Sequence, residues 1–94
     1  MTELKLSINE LNPEIIRSLF DKTIYDRGLN YYKLGYVVDA EIYENFISGR
    51  VKGSESKPYV TFFDLEKGIG RCNCPYEINC KHAVALLLRG CDIY

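Results

Sequence analysis

Four residues in the second half of the sequence carry the ligand chemistry of a borderline-soft metal ion. They are Cys72, Cys74, Cys80 and His82, in the run Cys72-Asn73-Cys74-Pro75-Tyr76-Glu77-Ile78-Asn79-Cys80-Lys81-His82. The pattern is C-x-C, five intervening residues, then C-x-H. Tetrahedral zinc takes thiolate sulfur at ~2.3 Å and imidazole nitrogen at ~2.0–2.1 Å, and these four donors converge if the chain turns back between the two pairs. Pro75 and Asn79 supply turn propensity in that gap. His82 is the single histidine of the sequence. Four Cys and His donors close the shell and leave no position for water, so the pattern implies one structural Zn2+ rather than a catalytic one. Asn79 is placed to cap a following helix, which sets Cys80 at a positive helix end that favours the thiolate. His82 is expected to give one ring nitrogen to the metal and its other N–H to an acceptor nearby.

Other chemistries fit these residues less well. A C-x-C pair bonds poorly to itself, and a disulfide reading leaves His82 without a role. A Cys–His nucleophile fails on geometry, because Cys80 and His82 are two apart and diverge on a helix. Cys91 would complete a four-sulfur set, but eleven helical residues beyond Cys80 place it about 16 Å along the axis. It falls on the stripe Cys80, Val84, Leu87 and Cys91 and reads as a small buried hydrophobe.

The elements that must position these ligands follow from spacing and punctuation. Residues 1–10 read as a loose arm or a short strand. Asn12 before Pro13 is a helix start, with Glu14 in the first turn, and Ile15, Ile16, Leu19 and Phe20 recur at helical spacing. After a break at Asp21 and Lys22, residues Ile24, Leu29, Tyr31 and Tyr32 predict a second helix ended by Gly35. Gly28 inside it costs roughly 1 kcal/mol against Ala, which suggests close packing at that point. Val38, Ala40 and Ile42 alternate with polar residues, and Ile47, Gly49 and Val51 continue that period. Residues 53–58 are a turn, and Tyr59–Leu65 reads as a third strand. Glu66–Gly70 reads as another turn, and Lys81–Arg89 as a last helix closed by Gly90. The fold class is α+β: two N-terminal helices, a three-stranded antiparallel β-meander, and a C-x-C/C-x-H zinc knuckle leading into a C-terminal helix. One domain spans 1–94, with a helical lead-in at 11–35, the β-meander at 36–70 and the finger at 71–90.

Composition narrows the function. The sequence has 94 residues, 47% of them hydrophobic and 27% charged, enough for one small core. Small domains gain from a structural metal. No apolar run approaches the ~20 residues of a membrane span, and MTELKLSINE has no signal-peptide core. The expectation is a cytoplasmic protein with reduced thiols, no membrane and no small-molecule substrate. The net charge of −1 shows no overall basic bias. Zinc binding would exchange three thiol protons for two positive charges and lower it by one. Arg50, Lys52, Lys57, Arg71, Lys81 and Arg89 are nonetheless available to phosphate, with Glu55, Asp64, Glu66 and Glu77 interleaved as on an ordinary solvated face. Eight tyrosines invite base stacking, although half-buried rings with wet hydroxyls account for them too.

The C-x-C…C-x-H pattern followed by Ala83-Val84-Ala85-Leu86-Leu87-Leu88 resembles a SWIM-type zinc finger. Upstream, Arg27-Gly28-x-x-Tyr31-Tyr32 with Gly35-x-Val37 is similar to the lead-in of prokaryotic members, and Gly49–Ser54 with Tyr59-Val60 to the strand pair before the cysteines. The resemblance spans roughly residues 27–88. It implies a zinc-stabilised ββα-like module that is not an enzyme and that binds DNA or protein, often beside SNF2-type helicase ATPases. On that reading Arg50, Lys52, Arg71 and Lys81 are the candidate DNA contacts. The alternative is a protein-interaction module without nucleic acid, docking through the all-round apolar last helix.

Overall fold

The computed structural model describes residues 11–53, 56–75 and 80–93. The expected N-terminal arm and the Asn79 cap lie outside them. Asn12 caps α1 (Pro13–Leu19): its Oδ1 accepts from the Ile15 N–H at 3.0 Å, and Pro13 fills the first helical position, where no N–H is needed. The break at Asp21 is itself a cap, its carboxylate accepting from the Thr23 N–H to start α2 (Lys22–Lys33). Gly35, at φ +75°, ends α2. The Gly35 N–H returns to Tyr32 O and the Tyr36 N–H to Tyr31 O, the paired bonds of a Schellman motif.

Four strands follow, β1 (Val37–Tyr43), β2 (Phe46–Val51), β3 (Tyr59–Asp64) and β4 (Ile69–Cys72), in an antiparallel sheet of order β1-β2-β3-β4. The three-stranded meander is thus corrected to four. The stretch Ile69–Cys72, half of it assigned to a turn, pairs with β3 through Phe62↔Arg71 and Phe63↔Gly70. Four residues are too few to show a period, and the glycine that suggested a turn is there for space. A Cβ on Gly70 would meet Ala83 Cβ at 2.8 Å and Phe63 Cδ2 at 2.9 Å. The true turn is narrower: Asp64 accepts from the Glu66 and Lys67 N–H groups, and Gly68 takes φ +69°. A second correction concerns Val38. A bulge between Val37 and Asp39 turns Val37 inward and leaves Val38 outside with 44% of its surface exposed.

The last helix, α3 (Lys81–Ile93), lies over the inner face of all four strands, and α1 and α2 pack on it. It does not stop at Gly90. That glycine sits inside the helix because a Cβ there would meet Ile47 Cδ1 at 2.9 Å. Its all-round apolarity has an internal cause: Ala83, Val84, Ala85, Leu86, Leu87 and Leu88 are all buried against Ile16, Tyr25, Ile47, Val51, Phe63 and Leu65. The expectation of a free docking surface on this helix is therefore corrected. Gly28 lets α2 reach it, since a Cβ there would overlap Val84 Cβ at 2.3 Å and Lys81 O at 2.7 Å. Among the described residues no helix is long and apolar enough to cross a membrane.

Candidate metal centre

Two elements deliver the four donors. Strand β4 ends on Cys72, whose inward position follows from the alternation of Ile69, Gly70, Arg71 and Cys72. Asn73 then extends the pairing by one step: its N–H donates to Val60 O at 3.2 Å and its Oδ1 accepts from the Val60 N–H at 2.9 Å. The second residue of C-x-C is thus held to the sheet edge while Cys74 turns in beneath. On the other side, Cys80 stands at the head of α3. Its carbonyl accepts from the Ala83 and Val84 N–H groups, and its sulfur also takes a hydrogen bond from Ala83 N–H. Cys80 acts as the helix cap and sits at the positive end of the dipole. His82 follows in the first turn.

The ligand atoms of Cys72, Cys74, Cys80 and His82 lie within 4.8 Å of one another. Edges of a zinc tetrahedron with these bond lengths are about 3.5–3.8 Å. His82 Nδ1 already lies 3.5 Å from Cys80 Sγ and 3.6 Å from Cys72 Sγ. Nδ1 is therefore the metal-facing nitrogen. The donors are three thiols and an imidazole, all about nine-tenths or more buried. This set fits one structural zinc ion and leaves no coordination position open.

The surroundings hold the ligands in place. The His82 ring is packed between Tyr59, with centroids 4.8 Å apart, and Tyr31, at 5.5 Å. Its Nε2 lies against Gly53, where a Cβ would come within 3.1 Å, and it meets no hydrogen-bond acceptor among the described residues. The acceptor expected for this nitrogen is accordingly not found there; aromatic packing fixes the ring instead. Thr61, fully buried on β3, donates its hydroxyl to Cys72 Sγ at 3.2 Å. The Cys72 thiol is pulled down to about 3, first by a hydrogen bond from the Cys80 thiol and, against the cost of burial, by His82, Thr61 and the Cys74 N–H. Cys80 is pushed up by the same bond to Cys72 and by burial. The same contact thus lowers one thiol of the pair and raises the other, and metal binding requires the thiols to give up their protons.

Neither Thr61 nor Asn73 was singled out from sequence. Thr61 had a signal: it is the polar residue on the inward alternation Tyr59, Thr61, Phe63, Leu65. Cys91 lies away from the cluster, its Sγ 3.7 Å from Leu11 O. The four candidate DNA contacts do not share one surface. Arg50 and Arg71 are on the outer face of the sheet, and the Arg50 guanidinium is engaged by Asp39 at 2.6 and 2.9 Å. Lys52 follows β2, its N–H bonded to Tyr36 O. Lys81 opens α3 with Nζ 5.1 Å over the Tyr31 ring.

Residues 59–91, from β3 into α3, match the family model of the SWIM zinc finger. The segment holds all four donors together with Thr61 and Asn73. An uncharacterized protein of Methanocaldococcus jannaschii is 41% identical over 69 residues. The aligned part covers 72% of this chain but only 29% of that relative, so the chain spans less than a third of its length. No solved structure matches the chain.

Proposed function

We propose that this chain is a zinc-organised binding module that contacts DNA, and that it works alongside a larger protein machine such as a helicase-type ATPase. The observation that carries the reading is the closed, buried set of four donors inside a SWIM zinc finger. Such a site stores folding free energy and shapes a surface, and it offers no position for a substrate. The module is accordingly read as a non-enzyme. Lys52, Arg71 and Lys81 have no carboxylate partner among the described residues, and they supply cations for phosphate. Arg50 would have to exchange Asp39 for a phosphate oxygen, which sets it behind the other three. Titrating zinc-loaded protein with duplex DNA should move the amide signals near Lys52, Arg71 and Lys81 at low salt and restore them at high salt. Signals unmoved at low salt by duplex and by single-stranded DNA alike would refute DNA binding.

One observation favours a second reading, protein contact without nucleic acid. The outer face of the sheet carries apolar residues without cover, with Tyr43 70% and Val60 57% exposed and Phe46 packed on Phe62 at 6.3 Å. On this reading a partner docks on that face and not on α3. Val60→Lys would break co-purification with the partner while leaving zinc content and folding unchanged.

A further inference from the structure

Beside the metal knuckle lies a cavity of about 250 Å³, walled by Ile24 and Arg27 of α2, Tyr59 of β3, Pro75, Lys81 at the head of α3, and the zinc ligands Cys74, Cys80 and His82. It has two chemical halves. Ile24, Tyr59 and Pro75 form an apolar wall, and Arg27 and Lys81 bring two cations from two different helices. No carboxylate lines it among the described residues. Charge arithmetic shows that these cations are more than a counterweight to the metal centre. Three thiolates around a divalent ion with a neutral imidazole leave one negative charge, which one of the two cations offsets. The other has no carboxylate partner among the described residues. Lys81 is also held in position, its Nζ lying over the Tyr31 ring.

From this geometry we infer that the cavity is the seat of one unpaired nucleotide of a single-stranded nucleic acid. The base enters against Tyr59, Ile24 and Pro75, and Arg27 and Lys81 hold the adjoining phosphate. The volume suits a single base and is below that of a typical small-molecule site, ~300–1,000 Å³. A base reaches a concave seat only when it is out of the duplex stack, so the seat prefers single strands to duplex. This inference rests on the nucleic-acid reading above and adds to it which form of nucleic acid is bound, and where.

The test uses the zinc-loaded chain and fluorescein-labelled hexathymidylate, with binding followed by anisotropy across a salt series. Arg27→Gln and Lys81→Gln are compared with wild type, with Arg17→Gln, on α1 and outside the cavity lining, as a control. Zinc stoichiometry by native mass spectrometry and an unchanged amide spectrum establish that each variant is folded. Each cavity variant should weaken binding and lower the slope of log K against log salt by about 0.7, the value for one single-strand phosphate contact. Arg17→Gln should match wild type, and the Ile24 methyl and Tyr59 ring signals should shift with the oligonucleotide. Binding that ignores both cavity variants, or a duplex bound as tightly as the single strand, overturns the seat and leaves the DNA reading standing. If neither form binds at low salt, both fail. A glutamate-rich peptide that binds with the same dependence on Arg27 and Lys81, where the oligonucleotide does not, would overturn the nucleotide and point to an acidic protein segment.

Discussion

Thr61→Val isolates a side-chain hydroxyl that touches a metal ligand. Thr61 is fully buried and donates to Cys72 Sγ at 3.2 Å. Valine has nearly the same shape, so the substitution removes a donor to a thiolate while leaving no cavity and no orphaned acceptor on the β3 side. Donors to metal ligands of this kind are worth roughly 10–100-fold in metal affinity, or about 1.4–2.7 kcal/mol. The chain should therefore hold zinc ten- to a hundredfold more weakly in a chelator competition at fixed pH. Thr61→Ser, which keeps the hydroxyl, should recover most of the loss. The sign of the pH effect also follows. The hydroxyl helps hold the Cys72 thiol low; without it protons compete better for the sulfur, so zinc release on acidification should begin at a higher pH in Thr61→Val. Unfolding measured in excess zinc separates this from a packing effect, since a buried Val offsets part of the loss by its own burial. Equal affinities for Thr61→Val and wild type within twofold would refute the reasoning and reduce Thr61 to a space-filling residue.

Cys74→Ser should abolish zinc binding by native mass spectrometry and unfold the segment around β4 and the head of α3, whereas Cys91→Ser should keep one ion per chain; the reverse result would overturn the ligand set. Gly28→Ala should destabilise the fold by about 1–3 kcal/mol in urea titration, because its Cβ would overlap Val84 Cβ and the Lys81 carbonyl, both on α3. Gly90→Ala should cost less, since its new methyl meets the movable Cδ1 end of Ile47. Arg50 holds the Asp39 carboxyl below its ordinary value by a direct hydrogen bond, so in an NMR titration Arg50→Gln should raise the Asp39 midpoint; because a depressed carboxylate stabilises the fold only while ionised, any contribution of this exposed pair is lost as pH falls through that midpoint.

Much of the site was legible because its chemistry is dense and local. Four donors of only two residue types within eleven residues leave few arrangements, and the caps at Asn12 and Gly35 are written in single residues with one dominant use each. What escaped was set by contacts far apart in sequence. Gly70 and Gly90 both read as punctuation in the sequence, yet each is a close approach to a partner elsewhere: Gly70 to Phe63 and Ala83, Gly90 to Ile47. A glycine required for space and a glycine required for φ look the same in a sequence. The Val37–Asp39 bulge has the same origin, since a strict period of two points Val38 inward and only the pairing with β2 shows otherwise.

The apolar last helix shows most clearly why the metal and the core are one structure. A helix this apolar on all sides is either a core element or a docking element, and sequence does not choose between them. The choice is made by its first turn. Cys80 and His82 tie the head of α3 to Cys72 and Cys74 at the end of β4, and a helix fixed at that point, continuing from the sheet's edge strand, must run over the inner face of the sheet. Leu86, Leu87 and Leu88 then meet core partners along its whole length. Zinc removal should accordingly loosen more than the knuckle. Amide hydrogen exchange in the presence of a strong chelator should lose protection along α3 and in β3 and β4 together, in one cooperative step, with the middle of α2 following because Gly28 rests on Val84. Loss confined to the residues around Cys74 and Cys80, with α3 still protected, would show instead that the sheet holds the helix without the metal.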